Sequence, residues 1–127
     1  MMILDTTRLG ELADAIFADL HDDLRHRREV SAESRHFTTK HLPFTAFTSL
    51  GHDVAHPDED IAVTIDVTPD MQRLVACIAW ADGRILAEDE YPIASSDREH
   101  LEAAMGSARR FLKARVDMIA NALAELD

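Results

Sequence analysis

The chain has 127 residues, 46% of them hydrophobic, and a formal net charge of −11. This length supports one compact core and is too short for two ordinary domains, so we expect residues 1–127 to form a single domain. The acidic surplus falls on residues 1–23 and 42–97, and such a surface repels phosphate backbones, which argues against a nucleic-acid partner.

No apolar run approaches the ~20 residues of a membrane span, and the N-terminus has no signal-like pattern, so we expect no membrane contact. The single cysteine, Cys77, excludes an intrachain disulfide and is consistent with a reducing compartment. The sequence therefore predicts a cytoplasmic protein.

The first element is a predicted helix over residues 8–29, with Thr7 as its N-cap. Its apolar stripe recurs at helical spacing at Leu9, Leu12, Ile16, Leu20 and Leu24. Residues 30–41 show no clean period and fit either a helix extension or a loop. Alternation from Phe44 to Leu50 predicts a short strand at an edge of the sheet, and residues 51–60 read as a loop.

The alternation of apolar and polar residues over 60–93 predicts a three-strand antiparallel meander, with turns at Thr68–Met71 and Asp82-Gly83. Pairing the strands through these turns places three rows on one face: Ile65, Leu74 and Tyr91; Val63, Ala76 and Asp89; Ile61, Ile78 and Ala87, with Trp80 beside Ile85. On the reverse face Asp66 comes opposite Arg73. We expect the helices to pack on the first of these faces.

The last element is a predicted helix over residues 97–126, started by a capping box of Ser96 and Glu99. A helix of this length rises ~45 Å, whereas eight-residue strands span only ~26 Å, so about a third of it would extend past the sheet. This overhang carries Ile119, Leu123 and Leu126, which need cover. We expect a homodimer through these residues, with intrachain packing on the first helix as the alternative.

The predicted fold is thus α+β: an N-terminal helix, an antiparallel meander of three to four strands, and a long C-terminal helix, with the helices on one face of the sheet. The order helix–three strands–helix also occurs in double-stranded-RNA-binding domains. Here, however, the last helix begins with Asp97, Glu99 and Glu102, where that family presents lysines.

Two surfaces are candidate sites. The register turns Asp89 toward the apolar face, where it either protects a strand edge or lines a ligand pocket together with Tyr91, Trp80 and Arg115. The reverse face is more apolar than solvent requires, and a protein partner would contact the following residues there: Val75, Cys77, Leu86, Glu88 and Glu90.

Catalytic and metal chemistry have little support. His52 and His56 are four residues apart, but Gly51 and Pro57 beside them argue against the helix that would put both rings on one face. No glycine-rich phosphate loop or Gly-x-Ser-x-Gly elbow is present. We expect no catalytic residue, metal or cofactor.

Small size, a pI near 4.9 and an α+β core resemble secretion chaperones and toxin-immunity proteins, with no motif that assigns a role to a residue. Three functions follow, in order of preference. The first is a non-enzymatic protein-binding module of chaperone, inhibitor or regulator type. The second is a ligand-binding or catalytic domain with a pocket at Asp89, and the third is a structural subunit of a larger assembly.

Overall fold

A computed structural model describes residues 4–39, 41–94 and 97–127. They form, in chain order, α1 (Thr6–Arg25), β1 (Ser31–Phe37), β2 (Phe44–Gly51), β3 (Ile61–Val67), β4 (Arg73–Trp80), β5 (Ile85–Pro92), α2 (Arg98–Lys113) and α3 (Val116–Ala124). The predicted α+β class with an antiparallel sheet is confirmed. The described strands number five rather than three to four, and two helices replace the long C-terminal one.

The five strands form one open sheet in the order β1-β2-β3-β4-β5, each antiparallel to the next. One face is buried along the three central strands, since every second residue of β3 is inaccessible to solvent and the residues beside them on β2, from Phe44 to Leu50, and on β4, from Leu74 to Ile78, are buried as well. These residues and the apolar stripes of all three helices belong to a single core. The helices therefore cover one face of the sheet.

The sheet extends further than the sequence predicted because β1 was not recognised. From Glu33 to Phe37 its residues are exposed, so neither face of the strand imposes a hydrophobic period. With β1 in place, β2 lies inside the sheet between β1 and β3, and its prediction as an edge strand is wrong.

The register of the β4–β5 hairpin is as predicted, with Leu74 opposite Tyr91 and Ala76 opposite Asp89. The β3–β4 register is shifted by one row, so Ile65 lies opposite Ala76 and not Leu74. The cause is a longer turn: Thr68 and Arg73 bond each other across residues 69–72.

Two cross-strand expectations change with the observed pairing. Asp66 faces Val75, and Arg73 instead forms an ion pair with Glu90 at 2.9 Å. Close to the turn of the β4–β5 hairpin, an irregularity between Ile78 and Ala79 places Ala79, and not Trp80, opposite Ile85.

α1 begins earlier and ends earlier than predicted. Its N-cap is Asp5 and not Thr7, since the Asp5 carboxylate accepts the backbone N–H of Arg8 at 3.0 Å. The predicted apolar stripe is buried except at Leu12, which is half-buried, and Ala13 and Phe17 widen it.

The C-terminal helix breaks between Lys113 and Val116, where Arg115 leaves helical geometry with φ −118° and ψ 12°. The backbone N–H of Arg115 bonds the carbonyl of Leu112, and its guanidinium donates to the freed carbonyl of Phe111 at 3.0 Å. α2 is capped by Asp97, whose carboxylate accepts the His100 N–H; Ser96 of the expected capping box lies outside the described residues.

Because of this break, α2 does not extend past the sheet as the predicted single helix would. Sixteen residues of α2 rise ~24 Å, which matches the length of the strands. α3 then packs beside α1, so Ile119 and Leu123 are fully buried within their own chain and only Leu126 remains exposed. The long helix that motivated the predicted dimer interface is thus replaced by α2 and α3, and the homodimer itself stays a prediction.

Candidate functional site

The face of the sheet opposite the helices has no helix on it in the described part of the chain. We call it the open face, and its side chains are Glu33, Arg35, Phe37, Thr45, Phe47, Ser49, Ala62, Thr64, Asp66, Arg73, Val75, Cys77, Ala79, Ile85, Glu88 and Glu90. Most of the residues of its three central strands are half-buried by their neighbours in the sheet. The open face is thus a broad, partly apolar surface with charges toward both edges.

A groove of about 530 Å³ lies on the open face at its β1–β2 end. Strand residues form its floor and the connection between β2 and β3 forms its far wall; the lining residues are Ser31, Ala32, Glu33, Arg35, Phe47, Ser49, Pro57, Asp58 and Glu59. An aromatic ring and hydroxyls at the floor and carboxylates on the walls favour a cationic or amphipathic occupant.

Gly51 holds the far wall of the groove in place. A methyl group at this position would lie closer than 3.0 Å to both the Asp58 carbonyl oxygen and the Ser31 hydroxyl oxygen. Only a residue without a side chain allows this loop to approach the sheet so closely. The loop is further fixed by Asp60, which accepts hydrogen bonds from the His52 backbone and ring at 2.9 and 2.7 Å.

The charges on the groove and the open face are predominantly negative. Two bases are neutralised locally, Arg35 by Glu33 at 2.8 Å and Arg73 by Glu90 at 2.9 Å. Among the described residues, no basic side chain lies within 4 Å of Asp58, Glu59 or Glu88. The surplus negative charge therefore remains available to an incoming cation.

Asp66 is the least solvated acid of the open face. Burial raises the pKa of its carboxyl group, and a hydrogen bond from the Thr45 hydroxyl acts in the opposite direction. Burial thus disfavours the ionised form of Asp66, at the centre of the open face.

Four of the five predicted partner-surface residues share the open face. Val75 and Cys77 are half-buried there, and Glu88 and Glu90 are exposed beside them. Leu86 instead lies at the irregularity of the β4–β5 ladder and packs against the core. Burial and the neighbouring Glu88 raise the pKa of the Cys77 thiol, which disfavours the thiolate that a nucleophile needs.

Two of the four predicted pocket residues, Asp89 and Tyr91, lie on the edge strand β5 on the helix side of the sheet. Asp89 is exposed and bonds the hydroxyl of Tyr91; burial and this carboxylate raise the pKa of Tyr91. The guanidinium of Arg115 stacks on the Phe111 ring, 4.0 Å from its centroid, and no ion pair joins it to Asp89.

Trp80 lies half-buried at the far end of β4, where Arg84 covers its ring at 5.6 Å. None of the four predicted pocket residues lines the groove or the cavity of about 310 Å³ between α1 and β1. The structure brings Asp89, Tyr91 and Arg115 near one another but separates them from Trp80.

The histidines that raised the question of a metal have other partners. His52 bonds Asp60, and His56 bonds Asp53 at 3.1 Å. In the described ranges, no group of three or more potential ligands converges on a point. In the same ranges, no helix has the length and apolar character needed to cross a bilayer.

Comparison with protein-family models, with curated proteins and with solved structures finds no match to this chain. The interpretation of the site therefore depends on its own geometry.

Sequence reasoning did not identify the groove. Its floor comes from β1, which shows no hydrophobic period, and its wall comes from a loop whose position depends on contacts distant in sequence. One signal was available: Phe47 breaks the alternation of Phe44, Ala46, Thr48 and Leu50, which places an aromatic ring on the face away from the core.

Proposed function

We propose that this protein is a non-enzymatic protein-binding module that receives a basic, partly apolar segment of another protein on the open face. The observation that carries the proposal is that the open face combines half-buried apolar side chains with carboxylates that have no basic partner among the described residues. Such a surface buries apolar groups of a partner and selects for positive charge.

The groove supplies the specific part of this surface. A lysine or arginine side chain of the partner would lie with its aliphatic stem against Phe47 and its charge toward Asp58 and Glu59. Neighbouring apolar residues of the same segment would contact Val75 and Cys77 in the middle of the sheet. The other two predicted functions lack comparable support, since Asp89 is exposed at an edge and α3 is covered by its own chain.

The test uses two synthetic peptides of equal length, one of alternating lysine and valine and one of alternating glutamate and valine. We expect the basic peptide to shift backbone amide NMR signals of β1 to β5 residues, and added salt to weaken its binding. The acidic peptide should leave the spectrum unchanged.

A matched pair of variants locates the binding. Glu88→Gln removes an unpaired charge from the open face, and we expect it to weaken binding of the basic peptide by roughly 2- to 5-fold. Glu125→Gln removes a charge from the exposed end of α3 and should have no effect. Shifts confined to the helices, or equal binding of both peptides, would overturn the proposal.

A further inference from the structure

The two edges of the sheet differ in how they would meet another strand. Both β1 and β5 present one row of backbone groups without a strand partner, because they are the outer strands of an open sheet. Such edges pair readily with a second chain unless side chains or irregularities prevent it.

β5 carries several features that oppose pairing. Glu88, Asp89 and Glu90 follow one another, Pro92 ends the strand, and an irregularity interrupts its ladder with β4 at Ala79. Antiparallel pairing of two β5 strands centred on Asp89 would place Asp89 opposite itself and Glu88 opposite Glu90. Directly opposed like charges are destabilising.

β1 has the opposite character. It runs for seven residues, Ser31–Phe37, without proline, and its pairing with β2 has no register shift. In antiparallel pairing of two copies about a two-fold axis normal to the sheet, residues that meet must lie on the same face. The two-fold axis must therefore pass beside a residue and not between two residues. Each possible register is thus defined by the residue of β1 on which it is centred.

Among these registers, the one centred on Ser34 uses the whole strand. It sets Glu33 of each copy opposite Arg35 of the other, twice over. Moving the centre to residue 33 would place Glu33 opposite itself, and moving it to residue 35 would place Arg35 opposite itself. The sequence of β1 is thus complementary to its own antiparallel copy in one register.

We propose that two copies of this chain pair through β1 in that register and form a continuous ten-stranded sheet. The pairing gives a partner to the β1 edge and contact to Phe37, whose ring is 46% exposed. It places Phe37 of the second copy opposite Ser31, a lining residue of the groove. Each groove is then completed by the other copy, and both open faces point in the same direction.

This interface differs from the one expected on a helical overhang, and it does not depend on which ligand the open face binds. Glu33 and Arg35 have side chains that are 71% and 64% exposed, so substituting them leaves the core untouched. The pair therefore allows a charge-exchange experiment on the folded protein.

The experiment measures molar mass by light scattering at concentrations up to roughly 100 µM, where dimers of modest affinity are populated. We expect the wild type to approach twice the chain mass of 14.2 kDa. Glu33→Arg and Arg35→Glu should each weaken association by at least ~10-fold, since each creates like-charge pairs on both sides of the axis. The double exchange restores opposite charges and should restore the dimer.

Glu125→Arg at the exposed end of α3 makes the same change of charge away from both edges of the sheet; it is the matched control, and we expect it to leave the mass unchanged. A wild type that stays monomeric would overturn the proposal, as would a dimer that neither single exchange weakens. A mass that keeps rising beyond the dimer would also contradict it, because self-pairing of β1 leaves no competent edge.

A crosslink tests the register independently of charge. In a Cys77→Ser background, Ser34→Cys places two thiols opposite each other across the axis, and mild oxidation should convert most of the protein to a disulfide-linked dimer. Asp89→Cys in the same background should crosslink far less. Equal crosslinking of the two variants would refute pairing through β1.

Discussion

Adding a single methyl group at Gly51 tests the account of how the groove is built. In Gly51→Ala the new carbon would lie within 3.0 Å of the Asp58 carbonyl oxygen and the Ser31 hydroxyl oxygen. The hydroxyl can rotate away, but the carbonyl belongs to the loop backbone, so the loop must move. Overpacking of this kind costs about 1–3 kcal/mol in the free energy of unfolding.

For a chain of 127 residues, about 1 kcal/mol corresponds to roughly 4 °C in melting temperature, so we expect Gly51→Ala to melt about 4–12 °C below the wild type. Thermal unfolding followed by circular dichroism measures this difference.

Gly106→Ala in α2 provides the matched control for that measurement. Its new methyl carbon would meet only a guanidinium nitrogen of Arg110, at 3.7 Å, which is an ordinary contact. Because alanine is the better helix former, this variant should gain about 0.5–1 kcal/mol. If Gly51→Ala melts with the wild type or above it, the close approach of the loop to the sheet is refuted.

Three further substitutions test other parts of the structure. Leu123→Ala should lose about 2–5 kcal/mol in unfolding free energy, against less than about 0.5 for exposed Leu126→Ala; equal losses would place α3 outside the core. Burial raises the pKa of Asp66, so its ionised form costs stability above that pKa; Asp66→Asn should raise the melting temperature at pH 7, with a gain that disappears below pH 3.8. Burial and Arg25 lower the pKa of His21 from 6.5, so protonation destabilises the wild type below that pH; His21→Gln should reduce the stability loss between pH 7.5 and 5, and an unchanged pH slope would contradict this reasoning.

The elements that the sequence predicted well are those with a buried face. β3 and β4 alternate strictly and α1 carries a continuous stripe, so burial left a period in each of them. β1 carries no such period because its side chains from Glu33 to Phe37 are exposed on both faces. It contributes to the sheet through its backbone hydrogen bonds to β2. The helix break at Arg115 was equally hidden, since no glycine or proline marks it and the Arg115 guanidinium bonds the carbonyl of Phe111, one turn earlier.

The candidate site likewise has one part that the sequence predicted and one part that it did not. The apolar character of the face around Val75 and Cys77 follows from strand alternation, which the sequence displays directly. The groove depends on the loop at Asp58 folding back onto Gly51, a contact that no local pattern encodes. The expected pocket at Asp89 rested on a correct β4–β5 register, but that register does not show that an edge position is open to solvent.

The strand order has a consequence for how the chain acquires its structure. Every strand pairs with its neighbour in sequence, so the sheet can grow hairpin by hairpin from contacts that are local in the chain. The core is completed only when α2 and α3 arrive, and α3 packs beside α1 from the opposite end of the sequence. During synthesis the apolar face of β3 to β5 therefore stays uncovered until the residues of α2 and α3 have left the ribosome, and over this interval the nascent chain exposes apolar surface that favours aggregation.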